Sequence, residues 1–122
     1  MTALRSLAVK FMALSLAAWT AFAAHAQAQP YPARPVTIVV GFAAGSTADL
    51  VARTVAAGLS ERMGTSFVVD NKTGANGMLA ATAVARAKPD GLTLLITTSS
   101  PLTVNPFIYS NLAYAPLKDF KF

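Results

Sequence analysis

The sequence contains no cysteine, a single histidine and few charged residues. Of its 122 residues, 54% are hydrophobic and only 12% are charged, whereas a typical soluble domain is about 25% charged. The absence of cysteine excludes disulfides, cysteine-ligated zinc and thiol nucleophiles. The histidine, His25, lies within an N-terminal segment that has the pattern of an export signal. The chain beyond that segment therefore has no histidine for a Ser-His-Asp triad or a zinc site.

The first 28 residues have the three parts of a secretory signal peptide. Arg5 and Lys10 precede an apolar run over residues 11–24, and two overlapping Ala-x-Ala patterns end at Ala26 and Ala28. The run is shorter than the ~20 apolar residues of a membrane-spanning helix. The alternatives are an uncleaved anchor and a buried helix. We expect a signal peptide over residues 1–26, with cleavage after Ala26 or Ala28, and a mature chain over 27–122.

Basic residues outnumber acidic residues, ten to five, but they form no basic block. Electrostatic binding to nucleic acid is therefore not supported. No pair of carboxylates has a spacing that indicates acid/base catalysis, and no cluster of side chains has metal-ligand spacing. We expect a protein that is not an enzyme, with no catalytic residues, no metal site and no cofactor.

Three short apolar segments alternate with two helical patterns. The first segment, residues 36–40, is a β-branched run with almost no alternation, which is typical of a strand covered on both faces of a parallel sheet. The β-α-β-α-β order with helical crossovers predicts an α/β fold with parallel strands in three layers. The predicted strands are 36–40, 66–70 and 92–97, with one helix between Ser46 and Gly64 and a second over 78–87.

Helix starts are indicated by short polar residues. Ser46 and Asp49 match the S-x-x-D capping pattern, and Asn76 and Asn105 are placed to cap two later helices. Asp49 either only secures its helix or also fixes the loop or holds a ligand amine or water; both interpretations remain open. The residues of the first helix expected on one apolar face are Leu50, Val51, Val55, Leu59 and Met63.

Three segments that follow the strands are rich in Gly, Ala, Ser, Thr or Asn: residues 42–49, 71–77 and 98–105. In parallel sheets, ligands bind beyond the carboxyl ends of the strands, so these segments should gather at one edge. Two of them precede helix N-termini, which carry unpaired N–H donors and a partial positive charge. This arrangement predicts a site for a carboxylate or a phosphate.

Nucleotide binding is the alternative function. The turn from Gly41 to Thr47 lacks the glycine spacing of dinucleotide sites and the lysine of a phosphate-binding loop. Asp70, at the end of the second strand, occupies the place of a ribose-binding acid, although a strand-end turn residue is the simpler interpretation. A secreted nucleotide- or dinucleotide-binding enzyme domain therefore stays open, as does a truncated product without function.

Six stretches, in this order and spacing, resemble one protein family: YPARPVTIVV (31–40), FAAGSTAD (42–49), VVDNKTGANG (68–77), AKPDGLTLL (87–95), VNP (104–106) and KDF (118–120). The chain resembles the solute-binding proteins of tripartite tricarboxylate transporters, also called the Bug family. The resemblance covers nearly all of the mature chain. It departs at Ser46, where the family often has a second glycine, and at Gly41, where the family often has proline.

The resemblance implies a monomeric periplasmic receptor of the type II-like class, whose two α/β lobes close on a small carboxylic acid and deliver it to membrane permease subunits. Family members are far longer, so residues 27–122 would form an incomplete first lobe. In the family, backbone amides, hydroxyls and ordered water hold the ligand carboxylate. The ligand-binding positions carried over by motif are Phe42, Ala44, Gly45, Ser46, Thr47, Asp49, Gly74, Ala75, Asn76, Gly77, Thr98, Ser99 and Asn105.

Overall fold

The structure is a computed structural model that describes residues 30–122. The predicted signal peptide lies outside the described residues. The predicted β-α-β-α-β order is confirmed, and the boundaries differ from those predicted by at most two residues. The elements are β1 (Val36–Val40), α1 (Thr47–Met63), β2 (Phe67–Asn71), α2 (Met78–Ala85), β3 (Thr93–Ile96) and two short helices, α3 (Asn105–Ile108) and α4 (Pro116–Asp119).

The three strands form one parallel sheet in the order β2-β1-β3. In this register Val40 lies beside Asn71 of β2 and Ile96 of β3. All three strands therefore end at the same edge, and the segments that follow them begin there. The predicted parallel α/β fold is confirmed.

The central strand β1 supplies most of the core. Val36, Ile38 and Val40 are almost fully buried and pack with Phe67 and with alanines of α1. Because successive side chains of a strand point to opposite faces, Val39, which is also buried, faces the other side of the sheet. The β-branched run without alternation therefore has the two-sided burial that its sequence predicts.

Helix α1 presents a different face to the sheet from the one predicted. Ala52 and Ala56 are buried, together with Asp49, whereas Leu50 is 59% exposed. The prediction of an inward apolar face is wrong for four of its five residues, because small alanines allow a close approach to the sheet and Asp49 turns the helix toward the loops it bonds. Leu59 is the one predicted residue that packs against the core; Leu50, Val51, Val55 and Met63 are exposed.

Both ends of α1 agree with their sequence signals. The Ser46 hydroxyl accepts a hydrogen bond from the Asp49 N–H at 3.3 Å, as the capping pattern predicts. At the other end Gly64 has φ +64, and its N–H donates to the Ser60 carbonyl. At 17 residues α1 is the longest helix in the 30–122 range, and no helix in that range has the length and apolar character needed to cross a bilayer.

The segment predicted as a polar loop after β3 is partly helical. Residues Ser100–Val104 form a π-helical turn that runs directly into α3. Pro101 within this turn is buried, and its carbonyl accepts a hydrogen bond from the buried Tyr114 hydroxyl. Tyr114 in turn packs edge-on against the Phe120 ring. These tertiary contacts, which the local composition does not encode, order the segment.

Candidate functional site

Three loops converge at the carboxyl edge of the sheet: the first loop (residues 41–46), the second loop (72–77) and the third loop (97–104). The Asn71 amide donates to the Phe42 carbonyl at 3.0 Å, which ties the end of β2 to the first loop. A Cβ on Gly41 would lie only 2.9 Å from the Gly77 Cα, so the first and second loops are in direct contact. The predicted gathering of these segments is therefore seen in the structure.

The first loop is held by a carboxylate network, made of Asp49, Arg53 and Asn71. The Asp49 side chain is only 2% exposed. Its Oδ2 accepts hydrogen bonds from the Gly45 N–H at 2.8 Å and from Arg53 Nε at 2.9 Å, and its Oδ1 accepts one from Asn71 Nδ2 at 2.9 Å. Gly45 has φ +82, a conformation that glycine adopts readily. These contacts show that Asp49 fixes the first loop in addition to beginning α1.

The same donors keep Asp49 ionised. Hydrogen bonds from Arg53, from the Gly45 N–H and from Asn71 lower the pKa of Asp49 from 3.8 to about 2, against the opposing effect of burial. The hydrogen bond to Asp49 in turn raises the pKa of Arg53. The network therefore carries a permanent ion pair at neutral pH.

Arg53 and Asn71 belong to this network but were not among the predicted ligand-binding residues. Arg53 has the exposure of an ordinary solvated residue, yet its Nη2 also donates to Asn71 Oδ1 at 3.2 Å. The i,i+4 spacing of Asp49 and Arg53 on one helix was an available signal. Asn71 begins the segment 71–77 that was expected at this edge, but no local signal indicated its side-chain bonds. Asp70, the candidate ribose-binding acid, is half-exposed and forms an ion pair with Lys72 at 3.0 Å.

The second loop is held by an amide pair, Asn76 and Asn105. Asn76 Nδ2 donates to Asn105 Oδ1 at 3.1 Å, and Asn105 Nδ2 donates to the Asn76 carbonyl at 3.4 Å. The prediction that these residues cap helices is wrong: Gly77 precedes α2 and Val104 precedes α3, and neither helix has a side-chain cap. Both amides are used instead for a contact across 29 residues of sequence.

Several backbone donors at this edge have no partner among the described residues. Within residues 30–122, no hydrogen bond joins the N–H of Ala44, Thr47 or Ala48, or that of Ala75 or Asn76, to a protein acceptor. At the start of α1 this follows from helix geometry, because the first N–H groups have no intrahelical acceptor. The donors lie at the positive end of the helix dipole, which favours an anion there.

The predicted site residues differ in accessibility. Most of them are exposed to solvent, while the buried ones contact other parts of the protein. Exposed are Ala44, Gly45, Thr47, Gly74, Ala75, Asn76, Thr98 and Ser99; partly buried are Phe42 and Ser46; buried are Asp49, Gly77 and Asn105.

One further polar atom near the second loop was missed by the sequence reasoning. The Thr97 hydroxyl oxygen is buried and, in the described part of the chain, has no hydrogen-bond partner. A Cβ on Gly77 would lie 3.5 Å from it and 2.9 Å from Pro101. The hydroxyl therefore lies directly behind the second loop.

A separate groove of about 910 Å³ runs along β3. Its lining is mostly apolar, from residues such as Leu59, Leu94 and Phe120, and of the three loops only the third contributes, through Thr97 and Leu102. It contains none of the free N–H groups at the sheet edge. The groove is therefore distinct from the unpartnered N–H groups of the first and second loops.

Comparison with known proteins gives consistent matches. A family model, described as the tripartite tricarboxylate transporter family receptor, matches residues 51–122. A UPF0065 protein of Bordetella bronchiseptica is 48% identical over 96 residues, which are 79% of this chain and 29% of that protein. BugT of Bordetella pertussis is 39% identical over 98 residues, 80% of this chain and 30% of BugT. The chain thus spans less than a third of the length of these curated relatives.

Solved structures match at similar identity. The periplasmic binding protein BugD has a TM-score of 0.70 and 43% identity, covering 74% of this chain and 30% of BugD. Rpa4515 of R. palustris, solved with adipate, has a TM-score of 0.68 and 44% identity, covering 71% of this chain and 29% of Rpa4515. MatC (Rpa3494) of Rhodopseudomonas palustris, solved with bound malate, has a TM-score of 0.69 and 42% identity, covering 74% of this chain and 31% of MatC. Each of these proteins shares its α/β arrangement with most of this chain.

Proposed function

Because this chain belongs to the tripartite tricarboxylate transporter receptor family, we propose that it is part of a periplasmic receptor that captures a small carboxylic acid without chemistry. The receptor delivers this acid to the membrane permease of such a transporter. Adipate and malate, the acids found with two structural relatives, support a carboxylate as the ligand class. The chain corresponds to the first of two lobes, and the full-length receptor is a monomer.

The free N–H groups at the sheet edge are the observation that carries this proposal. The donors of Ala44 and Thr47 come from one loop and its helix, and those of Ala75 and Asn76 come from the loop beside it. All four residues are exposed to solvent. A carboxylate accepts such hydrogen bonds strongly because it is charged. The neighbouring N–H groups are bonded within the protein, that of Gly45 to Asp49 and that of Gly77 to the Gly74 carbonyl.

The direct test is calorimetric titration and thermal shift of the protein expressed from its full 122-residue sequence. Malate and adipate serve as probes, and adipamide, which has the same length without the charge, is the control. We expect either acid to raise the melting temperature and adipamide to leave it unchanged. Because a receptor of this kind buries its ligand between two lobes, we expect the affinity to be weak in this chain alone. Binding of neither acid at millimolar concentration would contradict the proposal.

A sharper test removes one donor and little else. Thr47 is the first residue of α1, where proline is well accommodated. Ser46 before it has φ −70 and ψ 162, the extended conformation that a following proline requires. Thr47→Pro therefore deletes an N–H group while the helix persists. Thr47→Val removes the same hydroxyl but keeps the N–H.

We expect Thr47→Pro to bind malate roughly tenfold more weakly than Thr47→Val, because a hydrogen bond to a charged group contributes about 1.5–3 kcal/mol. Thermal unfolding of both variants checks that the fold is intact. Equal affinities of the two variants would show that this donor does not touch the ligand.

Export is tested by fractionation. When the full sequence is expressed in a Gram-negative host, we expect the protein in the periplasmic fraction with an N-terminus at Gln27 or Gln29. Replacing Arg5 and Lys10 by glutamate should retain it in the cytoplasm at full length. A protein that starts at Met1 in the membrane fraction would support the uncleaved anchor instead.

A further inference from the structure

The backbone of the second loop is held in an uncommon conformation. Ala75 has φ +46 and Asn76 has φ +51 and ψ 43, so two consecutive residues with a Cβ lie in the left-handed region. Residues with a Cβ adopt this conformation at a steric cost, although asparagine tolerates it better than alanine. A conformation of this kind persists only where surrounding contacts impose it.

Asn105 supplies those contacts from a buried position. Its side chain is 0% exposed, and it bonds both the side chain and the carbonyl of Asn76. Asn105 is itself fixed, because its carbonyl accepts the Tyr109 N–H and its side chain lies near the buried Tyr114. The exposed turn is therefore bonded to an interior group that a solute cannot reach.

On the premise of the carboxylate site proposed above, we infer that Asn105 is a positioning residue. It holds the Ala75–Asn76 turn in its left-handed conformation, and this leaves the two amide N–H groups of the turn free to face the ligand. Asn105 touches no ligand in this arrangement, so it affects the binding affinity only through Asn76. This role differs from an ordinary buried asparagine, whose loss lowers stability alone, and from a direct contact, which needs exposure.

A double-mutant cycle separates these roles. Asn76→Gly removes the side chain that bonds Asn105 but keeps the left-handed backbone accessible, since glycine adopts it without steric cost. Asn105→Ala removes the other half of the pair. The two variants and the double variant are measured for malate and adipate binding by calorimetry and for stability by urea unfolding.

We expect each single variant to weaken binding about tenfold, because each one breaks the direct contact between Asn76 and Asn105. In the Asn76→Gly background, Asn105→Ala should cause a smaller loss of affinity than in the native chain, because only its 3.4 Å bond to the carbonyl of residue 76 remains there, while it still lowers stability. If Asn105→Ala leaves affinity unchanged in the otherwise native chain, or weakens it equally in both backgrounds, the inference is overturned. If Asn105→Ala does not fold, Asn105→Ser takes its place in the cycle.

Amide hydrogen exchange gives a second readout that a merely structural role would not move. In the ligand-free protein, Asn105→Ala should speed exchange of the Gly77 amide, whose N–H donates to the Gly74 carbonyl across the second loop, while amides of β1 keep their protection relative to global stability. Unchanged exchange in the second loop would overturn the inference. If the native chain binds neither acid, the proposed function is contradicted. If the native chain binds an acid but the affinity losses of the two single variants add up in the double variant, only the positioning role is contradicted.

Discussion

The two sides of the sheet edge are held by different chemistry. The first loop depends on the carboxylate network, in which a buried, ionised Asp49 bonds an arginine, an amide and a backbone N–H. The second loop depends on the neutral amide pair. A charged group that is buried must be fully bonded or it costs several kcal/mol, whereas a neutral amide tolerates a looser partner. We therefore expect the first loop to respond to charge and pH and the second to respond to shape.

The largest effect is expected from Asp49→Ala. This change leaves the Gly45 N–H, the Asn71 amide and the Arg53 side chain without their shared acceptor. Ser46→Ala is the matched control, because it removes only the helix cap, which contributes about 1 kcal/mol. Urea unfolding should show a clearly greater loss of stability for Asp49→Ala. Equal losses would mean that Asp49 matters only for beginning α1.

Gly41→Ala tests the point where the two sides touch. The added Cβ would meet the Gly77 backbone at 2.9 Å, a contact that neither chain segment can avoid by moving a flexible side chain. Overpacking of this kind costs about 1–3 kcal/mol. Gly58→Ala is the control, since it has open space in the middle of α1 and should gain roughly 0.5–1 kcal/mol. A neutral Gly41→Ala would show that the loops separate easily.

Acid should weaken the carboxylate network that holds the first loop and leave the amide pair that holds the second loop unchanged. The folded protein holds the pKa of Asp49 at about 2, below its ordinary 3.8. Its stabilising effect is therefore complete above about pH 4 and is lost as the pH falls toward 2. We expect the stability difference between the native chain and Asp49→Asn to shrink over this interval.

The difference between the native chain and Asn105→Ala should stay constant over the same interval, because that pair does not titrate. Urea unfolding at several pH values between about 5 and about 2.5 measures both differences. If the difference in free energy of unfolding between the native chain and Asp49→Asn does not change with pH, the role assigned to the carboxylate network is contradicted.

The smallest effect on stability is expected at Thr97, which lies behind the second loop. Its buried hydroxyl has no partner among the described residues. Replacing an unpartnered hydroxyl by a methyl group of the same shape is neutral or favourable, so we expect Thr97→Val to raise stability by up to ~1 kcal/mol, measured by urea unfolding. Serine at the same position keeps the hydroxyl and serves as the control, and it should be less stable than valine. A destabilised Thr97→Val would show that the hydroxyl has a bonded role.

Much of the fold was predictable because its signals are local. The β-branched run of β1, the capping pattern at Ser46 and the glycine at Gly64 each act within one element or its ends. The order of those elements then implied parallel strands, and parallel strands brought the loops to one edge. The location of the candidate site therefore followed from sequence.

The partners within the site were not predictable in the same way. Asn76 and Asn105 have the composition and position of caps, and nothing local indicates that they bond each other. Arg53 and Asn71 had no assigned role, although they hold the first loop. The Arg53–Asn71, Asn71–Asp49 and Asn76–Asn105 bonds each join residues 18 to 29 positions apart in the sequence, and only the Arg53–Asp49 bond is local. Such contacts depend on how the loops settle against one another.

The sequence by itself determined which segments become strands and helices and that the loops after the strands gather at one edge, because periodicity, caps and turns act over a few residues. The tertiary structure alone decided which face of α1 is buried and which polar groups are bonded to protein and which stay free. The physical reason is that rotation of a helix about its axis and pairing of distant amides are set by packing and by the satisfaction of buried polar groups, and both exist only once the chain is folded.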